Sequence, residues 1–175
     1  NTTGTKNTAV GYEALSALTT TGDNTAVGWN AGKGVTGANN VAIGAYALDA
    51  AFGNNDNIAI GGHALTNKTS GGNCVALGSS AMSAATSAAN CVAIGTNALG
   101  ANTTGHDNTA SGYQALGQNT TAGSNTGFGF RSGYGITTGG SNTLIGNLSG
   151  YGGTVATRIA TGTGNTIIGH YARTN

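Results

Sequence analysis

The sequence has no proline, only eleven charged residues among 175, and no apolar run near the length of a membrane span. Each lack excludes something. Without proline, and without a Gly-X-Y period, its 33 glycines do not build a collagen helix. A net charge of +1 gives no electrostatic footprint for nucleic acid or an anionic membrane. A membrane-spanning helix needs about 20 apolar residues in a row, so membrane insertion is not expected. Disorder of the usual kind combines high net charge with few apolar residues, whereas 38% of this chain is apolar and regularly spaced. The chain has neither a signal peptide nor an initiating Met, which marks it, as an expectation, as a section of a longer protein.

What is present is one phrase repeated ten times. Asn-Thr-Ala-Val-Gly at residues 7–11 returns at 24–28, 40–44, 57–61, 74–78, 91–95, 108–112, 125–129, 142–146 and 165–169, with substitutions. The closing glycines are spaced by 17 residues, except for one interval of 16 and a last one of 23. A fixed period of this kind marks a quasi-one-dimensional stack in which each repeat contacts only its neighbours. The expected fold is all-β, a parallel β-solenoid or β-roll of about ten 16–17-residue coils, forming one repeat region over residues 1–175. The missing residue is expected between Gly32 and Asn39, and the six extra ones in a loop insertion at 151–162.

Numbering the phrase 0 to 4 from its Asn, position 1 is β-branched in every copy and position 3 is apolar in nine of ten. Side chains two apart share a strand face, so positions 1 and 3 are expected to face inward. Position 2, Ala in seven copies, is then expected on a flat outer face where another subunit packs. After Gly come a small residue at position 7 and Leu or Met at position 8 in most copies, read as a second short strand. The position-0 residues, eight Asn with Cys74 and Cys91 between them, are expected to form an amide ladder along the stack. From residue 108 the columns change: Ser111 and Phe128 enter position 3, and Gly133, Gly150 and Arg173 position 8. The last three coils are expected to pack differently.

Residues 7–15 (Asn-Thr-Ala-Val-Gly-Tyr-Glu-Ala-Leu) and 108–116 (Asn-Thr-Ala-Ser-Gly-Tyr-Gln-Ala-Leu) resemble repeats of phage tail-fibre proteins, as does the loop at 102–108. Asn-Val-Ala-Ile-Gly at 40–44 is also similar to the head repeat of trimeric autotransporter adhesins. The resemblance implies a trimeric parallel β-roll on a virion or extracellular surface. A phage tail-fibre segment that spaces and presents a host-recognition surface is the leading expectation. A bacterial surface adhesin head or extracellular filament subunit is the alternative, and an ice-binding solenoid a minor one. The implied partners are copies of the chain itself and a host-surface glycan or receptor.

Chemistry is sparse. The five carboxylates, Glu13, Asp23, Asp49, Asp56 and Asp107, form no converging acid–base pair, so an enzyme is not expected. Asp23 and Lys6 share a column in adjacent coils and suit a surface ion pair. His63, His106 and His170 lie in different coils and suggest no metal cluster; no cofactor is expected. Cys74 and Cys91 stand one coil apart in one column, about 4.8 Å along the stack and within disulfide reach, leaving a bond or buried free thiols as the alternatives. Stacked aromatics are expected for Tyr12 over Trp29, Tyr113 over Phe130 and Tyr134 over Tyr151. Such rings serve either as a sugar platform or, the preferred alternative, as cover for a corner or a subunit interface. Ice binding needs two threonine columns on one face, but the columns four and five residues before position 0 are adjacent in sequence and should point to opposite sides.

Overall fold

The computed structural model describes residues 2–50, 53–151 and 159–172. It is a parallel β-solenoid. Each copy of the phrase contributes one three-residue strand: β1 (Thr8–Val10), β2 (Thr25–Val27), β3 (Val41–Ile43), β4 (Ile58–Ile60), β5 (Val75–Leu77), β6 (Val92–Ile94), β7 (Thr109–Ser111), β8 (Thr126–Phe128), β9 (Thr143–Ile145) and β10 (Thr166–Ile168). They form one ten-stranded sheet in chain order. Register is repeat on repeat, Ala42 beside Ala59 and Ala59 beside Ala76. At about 4.8 Å per coil, nine spacings make a stack about 43 Å long.

The expected second strand is not there. Residues after the glycine form tight turns, and the turns themselves are laddered. The position-6 N–H donates to the coil below (Tyr46 to the Trp29 carbonyl, 2.9 Å), and the position-8 N–H to the coil above (Leu48 to the Ala64 carbonyl, 2.9 Å). The backbone achieves this by alternating handedness. Positions 6 and 8 have positive φ, as in Tyr46 (58°), Leu48 (54°), His63 (58°) and Leu65 (51°). Non-glycine residues seldom adopt this conformation; here bonds to both neighbouring coils hold it. A second strand would keep all φ negative and could not bring 17 residues round in one coil.

The inner and outer faces are the reverse of the sequence expectation. The position-2 alanines of β2 to β7 are fully buried, whereas Val10, Val27, Ile43, Leu77, Ile94, Phe128, Ile145 and Ile168 at position 3 are 37–65% exposed. The reason is thickness. Leu48, Leu65, Met82, Leu99 and Leu116 at position 8 already fill the space opposite the strand, and only a methyl fits between them and the sheet. Asn at position 0 shares the face of position 2 and is buried with it.

The last coils confirm this volume rule by inverting it. Leu144 and Ile167 replace Ala at position 2 and are buried. Gly133 and Gly150 replace the large residue at position 8; a Cβ at Gly150 would lie 2.2 Å from Leu144 Cδ2. Leu144 thus fills from the strand side the volume that Leu fills from the turn side elsewhere. Arg173 lies outside the described residues, as do 152–158 within the expected insertion. The bonds that bracket the insertion show its place. Asn125 Nδ2 reaches the Gly139 carbonyl 14 residues on, whereas Asn142 Nδ2 reaches that of Gly162, 20 residues on. The 16-residue coil shows the opposite: Asn24 Nδ2 bonds the Gly37 carbonyl, 13 residues on.

The glycine closing each phrase is demanded twice. At Gly61 φ is +129°, and a Cβ there would stand 2.6 Å from the backbone carbonyl of Gly78. The neighbouring Gly62 has ordinary φ, and its Cβ would meet only the Ala45 carbonyl oxygen at 3.9 Å. Gly61→Ala should therefore lower stability by about 2–4 kcal/mol. Gly62→Ala should be neutral within about 0.5 kcal/mol. Urea unfolding of the two variants side by side checks both values.

Candidate functional site

Three columns carry the polar and aromatic side chains, and the solenoid positions each by repeating it. The buried asparagine column is a true amide ladder. Asn40 Oδ1 accepts the Asn57 N–H (3.1 Å) and Asn57 Nδ2 (3.1 Å), while Asn40 Nδ2 donates to the Ala38 and Asn54 carbonyls. Asn125, Asn142 and Asn165 repeat the pattern. Each amide thus satisfies a buried backbone N–H and a loop carbonyl that lie off the strand ladder.

Cys74 and Cys91 interrupt this column as buried free thiols. Each sulfur reaches the same loop carbonyl only at long distance, Cys74 Sγ at 3.6 Å from Ala88 and Cys91 Sγ at 3.4 Å from Gly105, and a shorter bond comes from a residue that sequence reasoning missed. Lys68 is completely buried, the only charged residue among the described buried ones. Its Nζ donates to the Ala88 carbonyl (2.5 Å) and lies 3.5 Å from Cys74 Sγ. Ala88 stands 14 residues after Cys74, the offset at which Asn108 and Asn125 reach Ala122 and Gly139. One coil on, Asn102 Nδ2 plays the same part for the Gly105 carbonyl beside Cys91 (2.9 Å). Lys68 and Asn102 occupy one column, eleven residues after position 0 of the preceding phrase, which also holds Leu18, Val35 and Ile136, together with Asn119, whose Nδ2 donates to the Ala122 carbonyl (3.0 Å). The signal in the sequence was a lysine, the one charged residue in that column. The hydrogen bond from Cys91, reinforced by the Lys68 ammonium, holds the Cys74 thiol down to about 6. The same bond and burial push Cys91 up. Lys68 thus favours the charged form of Cys74, while the Cys91 sulfur lies 3.3 Å from the Ala89 carbonyl and 3.4 Å from that of Gly105.

The aromatic pairs are formed. Tyr12 and Trp29 stack at 4.3 Å and 21°, Tyr113 and Phe130 at 5.4 Å and 14°, while Tyr134 and Tyr151 are tilted at 6.0 Å. The stacked pairs spend one ring face each on the other, which removes those faces from any sugar. Tyr46 stacks on His63 (5.0 Å), and Arg131 lies over Tyr113, Phe130 and Tyr134, its Nε bonded to Gln114 Oε1 (2.7 Å). Tyr46 and His63, like Gln114 and Arg131, share position 6 in successive coils, a column the sequence reading did not single out.

The carboxylates are at the surface. Lys6 and Asp23 pair at 3.8 Å, a contact of little weight when exposed. Glu13 and Lys33 pair at 2.7 Å, which lowers the Glu13 carboxyl and raises the Lys33 ammonium. Burial raises the nearby Asp49 carboxyl, in an open groove with Ser16, Lys33 and Ala50. Among the described residues no group of three or more His, Cys, Asp or Glu could hold a metal ion, and no helix is long and apolar enough to cross a membrane. In one of the two threonine columns the hydroxyls donate to the carbonyl one coil on: Thr86 to Thr103, Thr103 to Thr120, Thr120 to Thr137. No family model, no curated protein and no solved structure matches the chain.

Asn125→Ala leaves the Asn142 N–H and the Gly139 carbonyl without their buried partners. The expected loss is about 2–4 kcal/mol, since two buried polar groups are stranded. Chemical denaturation measures it, and a loss below about 1 kcal/mol would show that the ladder is dispensable.

Proposed function

We propose that the chain is a self-associating fibre segment, a homotrimer that spaces and presents a recognition surface on a phage tail fibre or a comparable extracellular structure. The observation that carries this is the exposed row of large apolar side chains at position 3, from Val10 through Ile43, Leu77, Ile94 and Phe128 to Ile168, on the outer face of the sheet. Only Ser111 in β7 breaks it. The β-branched position-1 residues flank it on the same face. The result is an apolar band about 10 Å wide and about 43 Å long, the kind of continuous patch that marks an interaction site.

A second and third copy suit this band better than a globular partner. Its period is that of the chain, so only a partner with the same rise per coil keeps contact along the whole length. Cyclic symmetry about an axis parallel to the stack provides that register in every subunit at once. Covering the exposed part of the eight exposed position-3 side chains contributes roughly 1 kcal/mol each, on the order of 10 kcal/mol per chain. That is the scale needed to offset the about 4–15 kcal/mol of freedom lost on association. The low surface charge removes the repulsion between like subunits. A parallel bundle held this way is stiff, because the ladders run along its axis. It leaves the turns outermost, with Tyr12, Trp29, Tyr113 and Phe130 exposed, where a host glycan or receptor would be met. An adhesin head or extracellular filament uses the same construction and is the second reading.

Sedimentation equilibrium should give three times the chain mass, and a stable monomer at micromolar concentration would overturn the assembly. Ile43→Glu with Ile94→Glu should yield folded monomers, because these side chains are exposed on the outer face of the sheet. Ala42→Glu should instead unfold the coil. Circular dichroism separates the two outcomes.

A further inference from the structure

The interior of β5 and β6's coils holds a cluster that the fibre reading does not require. The two cysteines of the chain sit in register in successive coils, and its one described buried lysine points at the first of them. We propose that Lys68, Cys74 and Cys91 form an oxidisable clasp in which Cys74 reacts, Cys91 resolves, and an intercoil disulfide is the product. Parallel register brings the two cysteines together: Val75 pairs with Val92, so the residues just before them are stacked about 4.8 Å apart. That separation lies within the range a disulfide spans.

The chemistry balances with a hydroperoxide as oxidant; Lys68, Cys74 and Cys91 are fully buried, so the oxidant reaches them through local opening of the coil. The Cys74 thiolate displaces hydroxide from hydrogen peroxide and becomes a sulfenic acid, its sulfur oxidised by two electrons and the peroxide bond broken. The hydroxide takes a proton from the Lys68 ammonium and leaves as water. Cys91 then attacks the Cys74 sulfur. Its S–H proton passes to the neutral Lys68 amine, and the expelled hydroxyl leaves as hydroxide, which a solvent proton turns to water. In sum, two thiols and one hydrogen peroxide become one disulfide and two waters. Lys68 stabilises the attacking thiolate and carries the proton. It also satisfies the Ala88 carbonyl, which keeps the coil closed while the cysteine column lacks its amide. The charged groups facing Cys74 are Lys68 and, through its thiol proton, Cys91.

The product ties the coil of β5 to that of β6, in the middle of the stack, so one bond would stop the solenoid from separating at that seam. A structural lysine replacing an amide donor accounts for the Ala88 bond but predicts no reactivity at Cys74.

The test exposes the reduced, assembled protein to hydrogen peroxide, stops the reaction with acid, unfolds the chain and measures intact and peptide masses. The expected result is a loss of about 2 Da with the Cys74 and Cys91 peptides joined. Lys68→Gln, shown by circular dichroism to be folded, should form the bond at least about tenfold more slowly. Should that variant not fold, the wild-type rate still tests the clasp: it should be nearly flat from about pH 7 to about pH 9 where the thiolate is already formed, and a rise of about tenfold per pH unit would overturn Cys74 as the attacking thiolate. No mass change overturns the clasp. So does oxygen added to one cysteine without a link, or a gain of about 14 Da joining Lys68 to Cys74 through oxygen.

Discussion

Everything in this molecule follows from one constraint: each coil must hydrogen-bond to a copy of itself above and below along nearly its whole length. The strands do so in register, and the turns do so through N–H groups aimed alternately down and up the stack. That alternation forces positive φ at positions 6 and 8, and the closing glycine is forced to φ near 130° where backbones stack too closely for any Cβ. The conformational cost is repeated in every coil. It is offset by the hydrogen bonds that the turn N–H groups make to the coils above and below.

The same constraint explains which parts were legible beforehand. Period, strand positions, stacking order, the amide ladder and the aromatic pairs all follow from spacing, since anything repeated every 17 residues lies above its copy. Which way a side chain points does not follow from spacing. The alternation in Thr-Ala-Val defines two faces but does not label them, and hydrophobicity labels them wrongly. Val, Ile and Leu at position 3 look like core, yet the core is bounded by the Leu of position 8 and accepts only Ala from the sheet. The hint was the exchange in the last coils, where Leu144 arrives together with Gly150. Two positions that trade volume must share a cavity.

The column of Asn24, Asn40, Asn57, Cys74, Cys91 and Asn108 makes the same point for polar groups. At the two positions where the ladder changes residue type, another column also donates to the loop carbonyl. Lys68 and Asn102 do this from six residues before the phrase. Read one column at a time, Lys68 is an isolated charge. Read across columns, it completes the coil that Cys74 left open, and it places a cation beside a sulfur where nothing else charged is buried.

Reversal of the faces also changes what the fold is suited to do. With alanine outside, association would have rested on close approach of a flat surface, and each chain would carry its own adequate core. With alanine inside, the interior of each coil is thin, and much of the large apolar surface lies on the outer sheet face. A single chain then has one face that water does not favour and that no part of the described chain covers. Stability and assembly become coupled: burying the band of Val, Ile and Phe against copies of the chain adds to the core that each coil is too narrow to contain. The stiffness of the resulting rod comes from ladders within chains, and its thickness from contact between them. The repeat that specifies one therefore specifies the other.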